Sequence, residues 1–144
     1  MKFWDASAIV ALLVAEEASS YYHALYQEDR KMTAWFFSST EILSALSKCM
    51  RHGSISFDTF QTAKYELSAL ADRWFEITPS DAVRGRANRL VETHAISAAD
   101  ALQLAAALVG CNEKTKDTTF VTLDLRLRAA AQKEGFNILP EKGN

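Results

Sequence analysis

The sequence predicts an α/β protein, a three-layer α/β/α sandwich around a central, mostly parallel five-stranded sheet. Three observations carry this. Short apolar stretches rich in β-branched and aromatic residues alternate with longer helical stretches along the chain. The strand-like stretches are short and apolar throughout, as strands covered on both faces are. No repeat, low-complexity segment or linker interrupts the alternation, so one domain over 1–144 is expected.

The elements follow in order. Lys2, Phe3 and Trp4 read as a first strand ending at Asp5. Ala6 to Glu16 is apolar and made of good helix formers, and a second helical stretch continues to about Gln27. Met32 to Phe37 is a buried strand by length and composition, which puts Trp35, Phe36 and Phe37 in the core, as also Trp74. Ser38 opens a helix that runs to about Arg51 and stops at Gly53. Ile55 to Asp72 is a further helix, and Trp74 to Thr78 a third strand closed by Pro79. Ser80 to about His94 is a helix whose polar side carries Arg84, Arg86 and Arg89, and Asp81 reads as its cap. Ser97 to about Gly110 is apolar nearly all round, so it is buried or lies in an interface. After a polar loop from Asn112 to Asp117 come a strand at Thr119 to Leu123, a helix from Asp124 to Glu134 ended by Gly135, and a last strand at Phe136 to Leu139.

Composition narrows the function classes. The chain carries 16 Lys and Arg against 18 Asp and Glu, a net charge of -2. No global positive field marks it as a nucleic-acid binder, so any such contact must come from local basic groups or a bound metal. Cys49 and Cys111 are far apart and not in metal-ligand spacing, which suits two reduced, buried thiols in a cytoplasmic protein. Lys2 followed by the apolar stretch from Ala6 to Ala15 imitates an export signal. Asp5 interrupts it, and Glu16 and Glu17 stand where a cleavage motif belongs. No apolar run is long enough to span a bilayer.

Four acids carry the chemistry. Asp5, Glu41, Asp100 and Asp124 each fall where a strand or loop gives way to a helix. Each alone has a plain explanation in helix capping: Asp5 and Asp124 as N-caps, Ser38 with Glu41 as a capping box, Ser97 with Asp100 as the same pattern. Together they say more. The carboxyl ends of parallel strands share one edge of a sheet, and ligands bind there. Asp100 sits in the first turn of an apolar helix among Ala98, Ala99, Ala101 and Leu102, where its side chain is expected to meet protein. That helix offers no Lys or Arg to pair with it. Carboxylates gathered at one edge repel unless a cation lies among them. A set with oxygen ligands only points to Mg²⁺ or Mn²⁺ and away from zinc. Small residues nearby (Ala6, Ser7, Ser39, Ala99) leave room for a substrate phosphate. Such ions activate water for phosphoryl transfer.

At these residues the chain resembles the PIN-domain ribonucleases, and among them the VapC-type toxins of toxin–antitoxin pairs. The matching pieces are Trp-Asp-Ala-Ser-Ala-Ile-Val-Ala-Leu-Leu (4–13), Ser-Ser-Thr-Glu-Ile-Leu-Ser-Ala-Leu (38–46), Ile-Ser-Ala-Ala-Asp-Ala-Leu-Gln-Leu-Ala (96–105) and Phe-Val-Thr-Leu-Asp-Leu-Arg-Leu (120–127). They occur in the family order and span essentially the whole chain. The resemblance implies that Asp5, Glu41, Asp100 and Asp124 hold the metal and carry catalysis, with Ser7 and Thr122 in support. It implies an endoribonuclease that leaves a 5′-phosphate and a 3′-hydroxyl, a homodimer, and inhibition by a cognate antitoxin. Many relatives carry His where this chain has Gln103. Glutamine hydrogen-bonds but does not titrate near neutrality, so it takes no acid–base role.

Lys48 and Arg51 follow Glu41 on its helix, and Arg126 and Arg128 follow Asp124, so these are the candidate RNA contacts. His23, His52 and His94 are isolated and none reads as a ligand. Other uses of an α/β fold match less well. A phosphotransfer signalling domain needs an acidic pair on an early strand, and Asp5 has no acidic neighbour. A haloacid-type phosphatase needs Asp at position 7, where this chain has Ser. A noncatalytic interaction module would have no need of all four acids.

Overall fold

The computed structural model describes residues 1–141. Five three-residue strands form one sheet: β1 (Lys2–Trp4), β2 (Thr33–Trp35), β3 (Phe75–Ile77), β4 (Thr119–Val121) and β5 (Asn137–Leu139), in the order β3-β2-β1-β4-β5. All four pairings are parallel. Seven α-helices connect them: α1 (Ala6–Leu13), α2 (Ser19–Glu28), α3 (Ser38–Arg51), α4 (Phe57–Ala71), α5 (Asp81–Thr93), α6 (Ala98–Gly110) and α7 (Leu125–Lys133).

Side-chain alternation along the strands makes two cores. Trp4, Ala34 and Val121 pack with α1, α2, α3 and α4 on one face. Their neighbours Phe3, Trp35 and Phe120 pack with α5, α6 and α7 on the other. Phe3 and Phe120, paired in register, stack with ring centroids 5.3 Å apart. Both faces of the three central strands are therefore covered, while the edge strands β3 and β5 are partly exposed.

The chain order places the site. From β1 the sheet grows one way through β2 and β3, and the other way through β4 and β5. The reversal falls between β1 and β4, and a crevice opens at such a switch point. Asp5 follows β1 and Asp124 lies just past β4.

Several boundaries move for local reasons. The first helix ends at Leu13, not Glu16. The Ser19 hydroxyl donates to the Val14 carbonyl and accepts from the Glu16 N–H, and this local pairing displaces helical bonding. The helix expected from Ile55 starts at Phe57 because Ser56 caps it, accepting from the Thr59 N–H. Asp81 is not the cap of α5. Ser80 caps it, accepting from the Val83 N–H, and Asp81 pairs with Arg84. Gly53 at φ +78 ends α3 as expected.

The strand at 32–37 is shorter than expected. The strand spans only Thr33–Trp35, and the core assignment of Phe36 and Phe37 is corrected. Trp35 and Trp74 are buried, whereas Phe36 and Phe37 are 41% and 47% exposed. They form the turn into α3, beyond the end of the sheet, and pack edge to face on each other. In α6 the residues from Ala101 to Leu108 are buried except Leu102, but Ala98 and Ala99 are exposed. Cys49 and Cys111 are both free and half-buried. No helix among the described residues is long and apolar enough to cross a membrane.

Candidate metal centre

β1 and β4 run side by side with Trp4 opposite Val121, and the Asp5 N–H extends the ladder to the Val121 carbonyl. The next residues out of the sheet build a closed hydrogen-bond circuit. Asp5 caps α1: its Oδ1 accepts from the Ala8 N–H at 3.1 Å and from the Ser7 hydroxyl at 2.7 Å. Its Oδ2 accepts from the Thr122 hydroxyl at 2.7 Å. Ser7 Oγ in turn accepts from the Leu123 N–H, and Thr122 Oγ1 from the Asp124 N–H. Ser7 and Thr122 thus both hold the Asp5 carboxylate. The Tyr22 hydroxyl, donating to the Thr122 carbonyl at 3.3 Å, braces the same corner from α2.

All of these donors are neutral, and Asp5 is buried. Desolvation dominates, and it pushes the Asp5 carboxyl up to about 7 against the pull of the Ser7, Thr122 and Ala8 bonds, with the nearby charge of Asp124 adding to the rise. Burial also raises Glu41, with Asp100 adding to it, and raises Asp100, with Asp124 adding to it. Repulsion therefore links the four acids in a chain, Asp5 to Asp124 to Asp100 to Glu41. The four carboxylates come from four distant segments of the chain.

Glu41 arrives differently from the expected capping box. Phe37, not Ser38, is the N-cap of α3, and no side chain caps it. Ser38 Oγ and Glu41 Oε2 instead accept from one donor, Gln103 Nε2 of α6, at 3.0 and 2.5 Å. The amide orientation is dictated by charge. Turning it over would put Oε1 against the Glu41 carboxylate. As it stands Oε1 is buried with no partner. An orphaned acceptor costs about 1–3 kcal/mol, and a hydrogen bond to an ionised group contributes about as much, so the two nearly offset. Ser97 and Asp124 cap as expected: Ser97 Oγ accepts from the Asp100 N–H, and Asp124 Oδ1 from the N–H groups of Arg126 and Leu127. Asp100 is half-buried rather than enclosed.

Asp5, Glu41, Asp100 and Asp124 line a single cavity of about 650 Å³, with Ala6, Ser7, Val10, Thr40, Ser44, Ala45, Lys48 and Gln103. Of the four small residues expected there, Ala6 and Ser7 line the cavity, and Ser39 and Ala99 do not. Val10, Thr40, Ser44 and Ala45 are lining residues the sequence did not single out, and Gln103, expected only to have no acid–base role, lines the cavity as well. A usable signal existed, since Glu41, Ser44, Ala45 and Lys48 share the i, i+3, i+4, i+7 face of one helix, and Gln103 sits at i+3 from Asp100.

The donor set suits a hard divalent ion in kind: oxygen only, anionic, and braced by Ser and Thr hydroxyls. It is not drawn together to coordination distance. Among the described residues no three acidic, His or Cys groups stand close enough to hold one ion as they are. Two of the acids are engaged elsewhere, Asp5 by Ser7 and Thr122 and Asp124 by the start of α7.

The basic groups divide. Lys48 lines the cavity itself. Arg128 donates to the carbonyls of Pro140 and Glu141, which ties it to the end of the chain. Arg84 is paired with Asp81, and Arg86 with Glu113 and Glu134. His94, isolated in sequence, meets Glu134 at 2.7 Å. A larger cavity of about 750 Å³ lies against α5 and the start of α6, lined by Trp35, Phe37, Val83 and Leu102 among others. Its one acid, Asp81, is exposed and paired with Arg84. It lacks the cluster of carboxylates that lines the smaller cavity.

No protein-family model and no curated protein matches the chain. Solved structures do. The crystal structure of FitAcB from Neisseria gonorrhoeae superposes with a TM-score of 0.67 at 14% identity, covering 98% of each chain. PAE2754 from Pyrobaculum aerophilum gives 0.67 at 18% identity over 96% of this chain and 88% of its own. VapBC2 from Rickettsia felis, bound to a DNA fragment from their promoter, gives 0.61 at 13% over 95% of this chain and 96% of its own. At these identities the likeness establishes the fold, a PIN-like α/β/α arrangement around a parallel five-stranded sheet.

Proposed function

We propose that this protein is a Mg²⁺- or Mn²⁺-dependent endoribonuclease and the toxin of a toxin–antitoxin pair. One observation carries the reading. Four acids from segments spread over 120 residues line one cavity at the sheet's switch point, and two of them are held there by side chains from other segments. Capping alone does not require Glu41, which caps nothing through its side chain. The shared fold with FitAcB and VapBC2, relatives of the toxin–antitoxin PIN proteins, supports the same reading.

Asp5, Glu41 and Asp124 would hold the principal ion, with Asp100 completing its shell or serving a second. A bound divalent ion supplies activation of water and neutralisation of charge on a phosphate. The chain's own residues do the rest. Ser7 and Thr122 fix the Asp5 carboxylate. Lys48, at the cavity wall, offers a cation to an adjacent phosphate. Ala6, Ser44 and Ala45 line the cavity with small side chains, which leave room for a backbone. The partners of this reading are an RNA substrate, an antitoxin protein and a second copy of the chain.

The test is cleavage of structured and single-stranded RNA with Mn²⁺ by the wild-type chain and by Asp5→Asn. Loss of cleavage in a folded Asp5→Asn protein supports the nuclease; equal cleavage removes it. Growth arrest on expression, relieved by the same substitution, separates a toxin from a housekeeping nuclease. A small adjacent reading frame whose product binds the chain identifies the antitoxin.

A further inference from the structure

We infer that Gln103 is a positioning residue of the acidic cavity, acting through Glu41 to set its affinity for a divalent cation. The inference rests on the metal-centre reading above and adds a residue to it.

The geometry is specific. Gln103 is 1% exposed and stands on α6, one turn beyond Asp100, facing α3. Its Nε2 donates both hydrogens, one to Ser38 Oγ and one to Glu41 Oε2. Ser38 is fully buried at the start of α3 and fixes where the amide points. Glu41 therefore has one oxygen engaged by the amide, and its side chain lines the cavity. The amide's own Oε1 is buried with no partner, an arrangement that packing alone would not favour, since an apolar side chain of the same length fills the space without it. The orphaned acceptor is accounted for by what the other end of the amide does. It orders a long, half-buried glutamate that no backbone group and no cation restrains. Partners of this kind orient metal-binding carboxylates and set their affinity. The glutamine does this at every pH, because it does not titrate.

The test is calorimetric titration of the full chain with Mn²⁺ alone, on wild type, Gln103→Met, Glu41→Gln and the double variant. Methionine keeps the length and removes the donor together with the orphaned acceptor. Wild type is expected to bind, and Gln103→Met to bind about tenfold or more weakly with its thermal unfolding temperature little changed. In the Glu41→Gln background the same change is expected to alter affinity by less than about twofold, because the carboxylate it acts on is gone. Wild type that takes up no Mn²⁺ removes the metal-centre reading itself. Wild type that binds, with Gln103→Met indistinguishable from it, overturns the positioning role and leaves the metal centre standing. Equal losses in both backgrounds also overturn it, since Gln103 would then not act through Glu41. If Gln103→Met does not fold, Ser38→Ala carries the test. A measurable loss of Mn²⁺ affinity supports the role, and unchanged affinity overturns it.

Discussion

Thr122 Oγ1 donates to Asp5 Oδ2 at 2.7 Å, joining residues 117 positions apart at the mouth of the β1–β4 crevice. The bond exists because β1 and β4 are adjacent and in register up to Trp4 and Val121, so that the first residue past each strand meets the other. It fixes a buried carboxylate that its surroundings would otherwise neutralise. Removing it by Thr122→Val is expected to lower RNA cleavage by about 10- to 100-fold, the usual loss when a ligand's outer hydrogen-bond partner goes. Cleavage rates at saturating Mn²⁺, with circular dichroism to check the fold, decide this.

Asp5→Asn separates stability from activity. Asparagine keeps an acceptor for the Ala8 N–H and Ser7 hydroxyl and removes the buried charge. Asp5 rises from 3.8 to about 7 in the folded chain. At pH 8 without metal the substitution is expected to stabilise the protein by up to about 4 kcal/mol, at roughly 1.4 kcal/mol per unit. Urea denaturation measures it. Equal or lower stability would mean that Asp5 is not strained by burial.

The same shift gives a pH dependence with a definite sign. A carboxyl whose folded value lies above its unfolded value binds its proton more tightly in the folded state. Its contribution is full below about pH 4 and is lost as pH rises through about 7. Glu41 and Asp100, also raised, act in the same sense. Metal-free stability is therefore expected to fall from pH 4 to pH 8. Mn²⁺ binds the ionised carboxylates, so it should restore stability at pH 8 and do little at pH 5. Thermal melts with and without Mn²⁺ at both pH values test this.

Away from the site, the exposed face of α5 is tied down by Glu134. Burial alone would raise its carboxyl, but the bonds from His94 and Arg86 outweigh burial and hold it below the ordinary range. Glu134→Gln is expected to cost about 1–3 kcal/mol of stability and leave cleavage unchanged. Urea midpoints and cleavage rates of the same preparation check both halves.

Lys48 and Arg128 should behave differently although both were read as RNA contacts. Lys48 lines the cavity, so Lys48→Ala is expected to weaken RNA binding and reduce the salt slope by about one. Arg128 holds the carbonyls of Pro140 and Glu141, so Arg128→Ala should loosen the last strand with a smaller effect on binding. Binding measured against salt concentration distinguishes them.

What the sequence displayed was local. Asp5, Ser97 and Asp124 announce helix starts by residue type alone, and all three cap as expected. The alternation of strand and helix gave the layers, because apolar three-residue strands have no other stable place. The pairing order of the sheet was only implied. Where local signals failed, a distant partner had intervened. Ser38 and Glu41 have the spacing of a capping box, but Gln103, 62 residues beyond Glu41, claims both side chains. His94 looked isolated because Glu134 lies 40 residues away. Phe36 and Phe37 carry strand composition yet fall past the sheet's edge, and nothing in their own residue types says where the sheet stops.

Crystals soaked in Mn²⁺ and measured at an anomalous wavelength test the central claim most directly. A peak inside the cavity bounded by Asp5, Glu41, Asp100 and Asp124, lost in Asp5→Asn crystals, is the predicted result. Crystals saturated with Mn²⁺ that show no peak in that cavity would contradict it.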